Sequence, residues 1–339
     1  MRGTSSADAR IGLLGCGRIA RYFHLPLLAP RLVAVADPDA ASCEAARALV
    51  PGVRLHRDWR DLIDAGGLDA VVVCLPPADH AAAAIAAFEA GLHVYVEKPL
   101  ALDLAQAERV EAAWYAAERC GAVGFNFRFN PNFRALRDRI AGGETGRPVA
   151  ITGAFASPRR ALVGWKTSTD AGGGALRDLA VHHLDLLAFV TGEPIAHVAA
   201  RERTLDREGD VVTVDATLRG GTPAQLVATQ CTGHGDNRLD LLCEAGRLVA
   251  AASDPVPRPI ERAPGRLARV ARAARRAAEL APRRLLHPPG AEPSFALALA
   301  AFVAAVEGRA PWSGADIGDG RRVAALIDAI ERGATARAA

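Results

Sequence analysis

The chain has 339 residues, of which 50% are hydrophobic and 23% are charged, so it can form two domains with substantial cores and is not a disordered chain. Its 41 basic and 38 acidic residues leave a net charge of +3, which argues against a dedicated nucleic-acid-binding protein. No apolar run reaches the roughly 18 residues of a membrane span, and the N-terminal residues lack the apolar centre of a signal peptide. The six cysteines form no CxxC pair, so we expect a cytoplasmic protein with reduced thiols and no metal site.

The first half of the chain alternates short apolar runs with helical patterns. β-branched runs separated by helices of about 10–15 residues predict a parallel, doubly wound sheet with right-handed crossovers. We therefore expect an α/β domain of the Rossmann type over residues 1–124. The predicted strands are 10–15, 32–36, 69–75, 93–96 and 122–127, and the predicted helices are 19–28, 39–49, 80–90 and 104–119.

The pattern changes near residue 124 to longer strands separated by turns. These predict a second α/β domain over residues 125–339 with a largely antiparallel sheet. Its strands are expected at 149–157, 196–205, 211–219, 224–231 and 238–243, and its helices at 132–141, 176–190 and 318–330.

Residues 253–290 of the second domain form an insertion rich in Pro, Arg and Ala. Arg258 to Arg284 contains nine Arg and two Glu, and a basic helix is expected over 265–280. Two interpretations stay open for this insertion: a solvated amphipathic helix that covers a sheet edge, or a clamp for an anionic or bulky substrate.

The chain contains only two lysines, Lys98 and Lys166, so 39 of its 41 basic residues are Arg. Lysine presents a compact ammonium group that can lose its proton, whereas arginine stays charged. Both lysines are therefore candidates for a chemical role.

A glycine-rich turn follows the first predicted strand. Gly15, Cys16, Gly17, Arg18, Ile19 and Ala20 form the pattern GxGxxA, which lets the backbone approach a pyrophosphate at the start of a helix. Asp37 ends the next strand, where a carboxylate accepts hydrogen bonds from the adenosine ribose and repels a 2′-phosphate. The two features predict a dinucleotide site that prefers NAD over NADP, although a nearby Arg could reverse that preference.

The strand 93–96 runs directly into Glu97, Lys98 and Pro99. Because ligands bind at the carboxyl ends of parallel strands, Lys98 is expected in the ligand crevice together with Cys74, Leu75 and Pro76. A cation beside a secondary alcohol would stabilise developing alkoxide character.

A pair of polar residues lies on the predicted helix 176–190. Asp178 and His182 are four residues apart, so they share one helix face, on which His182 could accept a proton while Asp178 orients it. His183 points about 100° away around the helix and is expected to be structural.

Five segments together resemble the Gfo/Idh/MocA oxidoreductases. They are the GxGxxA turn with Asp37, VVVCLPPADH (71–80), GLHVYVEKPLALD (91–103), GFNFRFNP (124–131) and GGGALRDLAVHHLD (172–185). The resemblance implies a Rossmann domain followed by an α/β domain with an open, mostly antiparallel sheet, which often forms a homodimer or homotetramer.

The resemblance also implies roles for individual residues. Lys98, His182 and Asp178 would be catalytic and would contact substrate, with Lys98 binding the substrate hydroxyl and His182 acting as general acid and base. Arg128 would either help to build the substrate site or form a structural ion pair, and Lys166, beside Trp165, would either contact substrate or be an exposed charge. The expected cofactor contacts are Gly15, Cys16, Gly17, Arg18, Ile19, Asp37, Cys74, Leu75, Pro76, His80, Glu97, Lys98 and Asn126.

The resulting prediction is an NAD-dependent dehydrogenase that reversibly oxidises a secondary hydroxyl of a sugar, cyclitol or sugar-bearing metabolite, such as a nucleotide sugar or aminoglycoside of natural-product biosynthesis. Three alternatives stay open: an NAD(P)H-dependent ketosugar reductase, a non-catalytic regulator that senses NAD(P), and a glycoside hydrolase that uses bound NAD. Retention of both Lys98 and His182 argues against the regulator.

Overall fold

The computed structural model describes residues 8–159, 161, 164–261 and 293–333. The chain forms two compact units. The first unit contains Met1–Asn126, Val163–Gly173 and Phe295–Asp328, and the second contains Phe127–Leu162, Gly174–Ser294 and Ala329–Ala339. The first break lies two residues from the predicted boundary at 124/125, but two later segments belong to the first unit, whereas the sequence predicted one continuous second domain.

The first unit contains a six-stranded parallel sheet in the order β3-β2-β1-β4-β5-β6. Strands β1, β2, β4 and β5 are almost completely buried, as expected of a sheet with helices on both faces. The strand order reverses between β1 and β4, and the carboxyl ends of strands at such a point form a ligand crevice. The strands are β1 (Ile11–Leu14), β2 (Leu32–Ala36), β3 (Arg54–His56), β4 (Ala70–Val73), β5 (His93–Val96) and β6 (Gly121–Val123).

Helices connect these strands, and several begin at an aspartate whose side chain accepts backbone N–H groups. Asp39, Asp58 and Asp103 occupy this N-cap position. The helices of the first unit are Leu25–Leu28, Ala40–Leu49, Trp59–Asp64, Pro77–Glu89, Leu104–Ala117, Ser294–Val306 and Ile317–Glu331. In the last two helices, Ser294 and residues 329–331 are assigned to the second unit.

The predicted helix 19–28 changes its form along its length. Residues Ala20–His24 are π-helical and Leu25–Leu28 are α-helical. Pro26 has no N–H for an i→i−4 hydrogen bond, and the Leu25 N–H bonds the carbonyl of Ala20, five residues back. A short 3₁₀ turn, Ala29–Arg31, follows.

The helix Ser294–Val306 explains why the first unit contains a late segment of the chain. Its Leu299, Phe302 and Val303 are buried in the same core as Leu13 of β1 and Tyr95 of β5. The rings of Phe302 and Tyr95 meet edge to face with centroids 5.5 Å apart. Burial of these side chains holds the segment against the parallel sheet.

The second unit contains a six-stranded sheet in the order β12-β11-β7-β10-β9-β8. Every pair is antiparallel except β7 with β10, so the predicted, mostly antiparallel sheet is confirmed. Alternate residues of β9 are buried, which is typical of a sheet covered on one face. The strands are β7 (Pro148–Pro158), β8 (Ile195–Arg203), β9 (Val211–Leu218), β10 (Pro223–Thr232), β11 (Asp236–Cys243) and β12 (Gly246–Ala251).

The helices Pro131–Ala141 and Val181–Thr191 pack against this sheet, and a π-helical turn, Leu176–Ala180, precedes the second of them. The predicted basic helix over 265–280 lies outside the described residues. The described part of the insertion, 253–261, contains no helix. Among the described helices, none is long and apolar enough to cross a membrane, and all six cysteines are unpaired.

Candidate functional site

The glycine-rich turn lies at the carboxyl end of β1. Gly15 has φ +90°, and a Cβ there would lie 2.6 Å from the carbonyl oxygen of Cys74, so only glycine fits this close approach of two loops. A Cβ on Gly17 would meet no atom within 4 Å, and the N–H of Arg21 bonds the Gly17 carbonyl as the helix begins. Arg18 is exposed and Ile19 is half-buried. The backbone at Gly17 thus borders open space at a helix start, which fits a pyrophosphate group.

Asp37 holds the glycine turn in place. One oxygen of its carboxylate accepts the N–H of Cys16 at 2.7 Å, and the other accepts the N–H of Asp39 at 2.9 Å. Each oxygen keeps a second lone pair, so the carboxylate can still accept a ribose hydroxyl. The Ser42 hydroxyl and the Ala41 N–H lower the pKa of Asp39, which keeps a second negative charge at the end of β2.

The loops after β4 and β5 carry Cys74, Leu75 and Pro76, and Glu97 and Lys98. Cys74 and Lys98 are half-buried, Pro76 is exposed, and burial raises the pKa of the Cys74 thiol well above its ordinary value. The Lys98–Pro99 peptide bond is cis.

Two of the expected cofactor contacts have other partners in this structure. Glu97 accepts a hydrogen bond from Nε2 of His24 at 2.8 Å, and both residues are buried. Both ring nitrogens of the buried His80 face backbone carbonyls, Nδ1 that of Pro99 at 2.7 Å and Nε2 that of Leu75 at 2.8 Å. These polar atoms hold loops together, so we interpret Glu97 and His80 as supports of the site.

The residues 163–173 return to the first unit with Trp165 and Lys166. Both lie in a 3₁₀ turn, Gly164–Thr167, and Nζ of Lys166 lies 4.9 Å above the ring of Trp165. The turn is followed by a glycine run that approaches its neighbours closely. A Cβ on Gly172 would lie 2.9 Å from Pro77 and from Leu102, the residues that follow the loops after β4 and β5. The lysine–tryptophan pair thus belongs to the first unit. Asn126, which is 2% exposed, ends the first continuous part of that unit.

Asp178 and His182 lie in the second unit, both only 6% exposed. Asp178 is in the π-helical turn Leu176–Ala180 and His182 is in the first turn of the following helix. Nε2 of Gln230, on β10, donates to Oδ2 of Asp178 at 2.9 Å. The ring of His182 meets those of Phe127 and Phe155 at centroid distances of 4.9 and 5.8 Å. A carboxylate and an imidazole are thus held one turn apart within an aromatic setting.

His183 has a structural environment, as expected. It is completely buried, and its Nε2 donates to the side-chain oxygen of Asn237 at 2.9 Å. Burial lowers the pKa of His183 to about 4, so the ring is neutral at physiological pH.

Arg128 forms an ion pair within the second unit. Its guanidinium makes contacts of 3.1, 2.9 and 2.6 Å with the carboxylate of Asp185, which is one turn after His182. The side chains are 11% and 2% exposed. Of the two roles left open by the sequence, the structure favours the structural ion pair.

Three residues of this arrangement were missed by the sequence analysis: His24, Gln230 and Asp185. Each contacts a predicted site residue that is at least 52 residues away in the chain. No spacing rule could have identified them. Among the described residues, no group of His, Cys, Asp and Glu could hold a metal ion.

Comparison with known proteins gives matches over both units. The family model described as "Oxidoreductase family, NAD-binding Rossmann fold" matches residues 9–125, and the model of the GFO/IDH/MocA C-terminal domain matches residues 133–249. Inositol 2-dehydrogenase of Rhizobium meliloti (strain 1021) is 33% identical over 264 residues, which cover 73% of this chain and 77% of that protein. Inositol 2-dehydrogenase 4 of Saccharopolyspora erythraea is 33% identical over 254 residues, covering 71% of this chain and 73% of that protein.

Solved structures share the fold over nearly the whole chain. An oxidoreductase domain protein from Kribbella flavida has a TM-score of 0.78 at 26% identity, covering 96% of this chain and 97% of that one. The WlbA dehydrogenase from Bordetella pertussis, in complex with NADH and UDP-GlcNAcA, has a TM-score of 0.79 at 24% identity, covering 96% and 95%.

Proposed function

Because this chain belongs to the GFO/IDH/MocA family of NAD-binding oxidoreductases, we propose that it is a dehydrogenase that oxidises a secondary hydroxyl of a cyclitol or sugar to a ketone, with NAD as the acceptor. Relatives named as inositol 2-dehydrogenases, two of them 33% identical over most of their length, support a cyclitol as the first substrate to test. Nucleotide sugars and aminoglycosides follow as sugar-bearing candidates.

The first unit supplies groups that fit NAD. The backbone at Gly17 borders open space, and the Asp37 carboxylate retains acceptor capacity for the ribose hydroxyls. Asp39 adds a second negative charge beside it, which supports NAD over NADP. When bound, NAD would accept the hydrogen of the carbinol carbon together with its electron pair.

The observation that carries the proposal is the held pair of Asp178 and His182. Gln230, on β10, donates to the buried Asp178 carboxylate and fixes it one helical turn from His182. We assign His182 as the base that accepts the hydroxyl proton, which it returns in the reverse reaction. Phe127 and Phe155 restrict the imidazole ring and exclude water from it.

Lys98 is assigned to the hydroxyl oxygen. An ammonium group donates hydrogen bonds only, so it can stabilise the negative charge that develops as the proton leaves. Lys98 lies in the loop after β5, at the carboxyl end of the parallel strands, where doubly wound sheets bind ligands. For Lys166, substrate contact through its turn with Trp165 stays a proposal.

The proposal is tested by absorbance at 340 nm with NAD and a panel of inositols, free sugars, nucleotide sugars and aminoglycosides. Lys98→Met should abolish turnover while calorimetry shows NAD binding within a few-fold of the wild type. Arg47→Met is the matched control, because it removes a positive charge from an exposed ion pair in the same unit. Turnover by Lys98→Met at the wild-type rate would exclude the assignment. Product without net NADH would instead favour redox-neutral hydrolysis.

We also propose that the chain forms a homodimer or homotetramer through the sheet of the second unit. Val149, Val227 and Leu242 lie on its strands and are 53%, 40% and 49% exposed. Exposed apolar side chains on one sheet support an association surface. Light scattering tests the proposal, because Val227→Asp and Leu242→Asp should lower the measured mass. A wild-type protein with the mass of a monomer would exclude the proposal.

A further inference from the structure

Lys98 lies between two residues that are each held by a buried histidine. Glu97, before it, contacts His24, and the carbonyl of Pro99, after it, contacts His80. We propose that His24 and His80 are positioning residues that set the placement of Lys98. The inference rests on the proposed function of Lys98, and it is tested below by a measurement that needs no turnover.

The His24 contact is short and buried. The His24 side chain is completely buried and that of Glu97 is 11% exposed, with Nε2 and Oε1 2.8 Å apart. The ring of His24 meets Tyr95 and Phe295 edge to face, both with centroids 5.9 Å apart. A Cβ on Gly124 would lie 2.9 Å from Oε2, so glycine at this position leaves the space that the carboxylate occupies. The Glu97 carboxylate is thus packed close to the Gly124 backbone while it accepts from His24.

The His80 contact ties the same segment to a second loop. The Pro99 and Leu75 carbonyls lie 2.7 and 2.8 Å from the two nitrogens of one ring. Burial lowers the pKa of His80, although both carbonyls and the nearby Glu97 oppose the shift. The ring thus lies between the two carbonyls and joins the segment after Lys98 to the loop after β4. The residue that directly follows Lys98 is thereby fixed.

The two histidines come from the two sides of the point where the strand order reverses. His24 ends the π-helical turn that follows the glycine loop of β1, and His80 lies in the first turns of the helix after β4. Each therefore connects a loop expected to contact the cofactor with the segment that carries Lys98. A group that must stand within a fraction of an ångström of its reacting atom needs this kind of support, since a 1 Å misplacement can cost about 10²-fold in rate.

The chain itself provides a direct probe, because Lys98 is one of only two lysines. A protein labelled with [ε-¹³C]lysine gives two side-chain resonances in a ¹H–¹³C correlation spectrum. Lys98→Met and Lys166→Met assign them, and Lys166 then serves as the internal reference in every other variant.

The variants test the contact of each histidine ring nitrogen individually. His80→Asn places an amide donor near the Nδ1 position and retains the Pro99 contact, whereas His80→Gln places it near Nε2 and retains only the Leu75 contact. His24→Gln keeps a donor for Glu97, and His24→Leu removes it. The matched control is His93→Asn, at the opposite end of β5, where Nδ1 of His93 accepts the N–H of Cys120.

We expect His80→Gln and His24→Leu to move the Lys98 resonance by more than its linewidth and to lower kcat by about 10²-fold, with little change in the Kd for NAD. In His80→Asn, His24→Gln and His93→Asn both resonances should stay close to those of the wild type. A Lys98 resonance unchanged in His80→Gln, or moved equally by His80→Asn, would overturn the inference. If His24→Leu does not fold, the His80 pair decides the question, because Asn and Gln carry the same amide on stems that differ by one methylene and so reach different carbonyls.

The failure of this inference is distinct from that of the proposed function. Turnover by Lys98→Met would exclude the catalytic role and still leave the spectrum as a test of placement. An inactive Lys98→Met with an unmoved Lys98 resonance in the histidine variants would exclude only the positioning role.

Discussion

The ion pair between Arg128 and Asp185 makes the most quantitative prediction about the second unit. Arg128→Met removes the guanidinium but retains much of the apolar stem. Asp185 is 2% exposed and accepts three contacts of 3.1 Å or shorter from Arg128, so the variant leaves its carboxylate buried beside an apolar side chain. The variant is expected to destabilise the second unit, with little effect on the first.

The magnitude follows from the burial of both partners. Breaking a buried ion pair by removing one partner costs about 3–5 kcal/mol, because the remaining charge is uncompensated. For a unit of roughly 150–250 residues, 1 kcal/mol corresponds to about 2–4 °C in Tm, so a fall of roughly 6–20 °C is expected. An exposed ion pair, by contrast, contributes about 0–1 kcal/mol.

The assay is differential scanning calorimetry of wild type, Arg128→Met and the double variant Arg128→Met/Asp185→Leu. The double variant should recover most of the lost stability, because it replaces both charges by apolar groups. A fall of less than about 2 °C in the single variant would refute the reasoning. If that stable variant also showed a large increase in KM, Arg128 would be a substrate contact instead of a structural residue.

Three further predictions concern the cofactor loops and a buried histidine. Gly15→Ala should destabilise the fold by about 1–3 kcal/mol in urea unfolding, since the φ of +90° at Gly15 and the Cys74 carbonyl exclude a Cβ. Gly17→Ala should keep the stability of the wild type and bind NAD about tenfold more weakly by calorimetry. Asp37→Ser should weaken NAD binding roughly 10- to 100-fold and reduce discrimination against NADP in the same titration; equal Kd values for NAD would contradict the ribose contact. Burial lowers the pKa of His183 to about 4, whereas a histidine of the unfolded chain has a pKa of about 6.5. Between these two pH values the unfolded chain binds a proton at His183 that the folded chain does not. The free energy of unfolding therefore falls by up to about 3 kcal/mol as the pH drops from 6.5 to 4. Urea unfolding at several pH values should show this loss, and His183→Gln should flatten it.

Most of the fold could be predicted from local patterns. Strands β2 and β5 begin and end at the predicted residues, because both are short apolar runs bounded by turn or helix signals. The strands Arg54–His56 and Gly246–Ala251 and the helix Ser294–Val306 were not predicted. Arg54–His56 is too short for a periodic pattern. Gly246–Ala251 and Ser294–Val306 lie on either side of the Pro-, Arg- and Ala-rich insertion 253–290, whose composition obscured their hydrophobic patterns.

The candidate site was predictable only in part, for a reason visible at its polar contacts. The glycine turn, Asp37, Lys98 and the Asp178–His182 spacing are local features, so the sequence displays them directly. The partners that hold them are distant: His24 is 73 residues from Glu97, and Gln230 is 52 residues from Asp178.

The sequence by itself determined the alternation of strands and helices, the dinucleotide-binding turn and the candidate catalytic residue types, because these depend on spacing and side-chain chemistry within a few residues. The tertiary structure decided which polar atoms are already engaged. In the folded chain Arg128 pairs with Asp185, both ring nitrogens of His80 contact backbone carbonyls, and the helix Ser294–Val306 packs in the core of the parallel sheet. Those pairings depend on burial, which makes an unpartnered charge or an exposed apolar face unfavourable, and burial is a property of the folded chain that no local pattern contains.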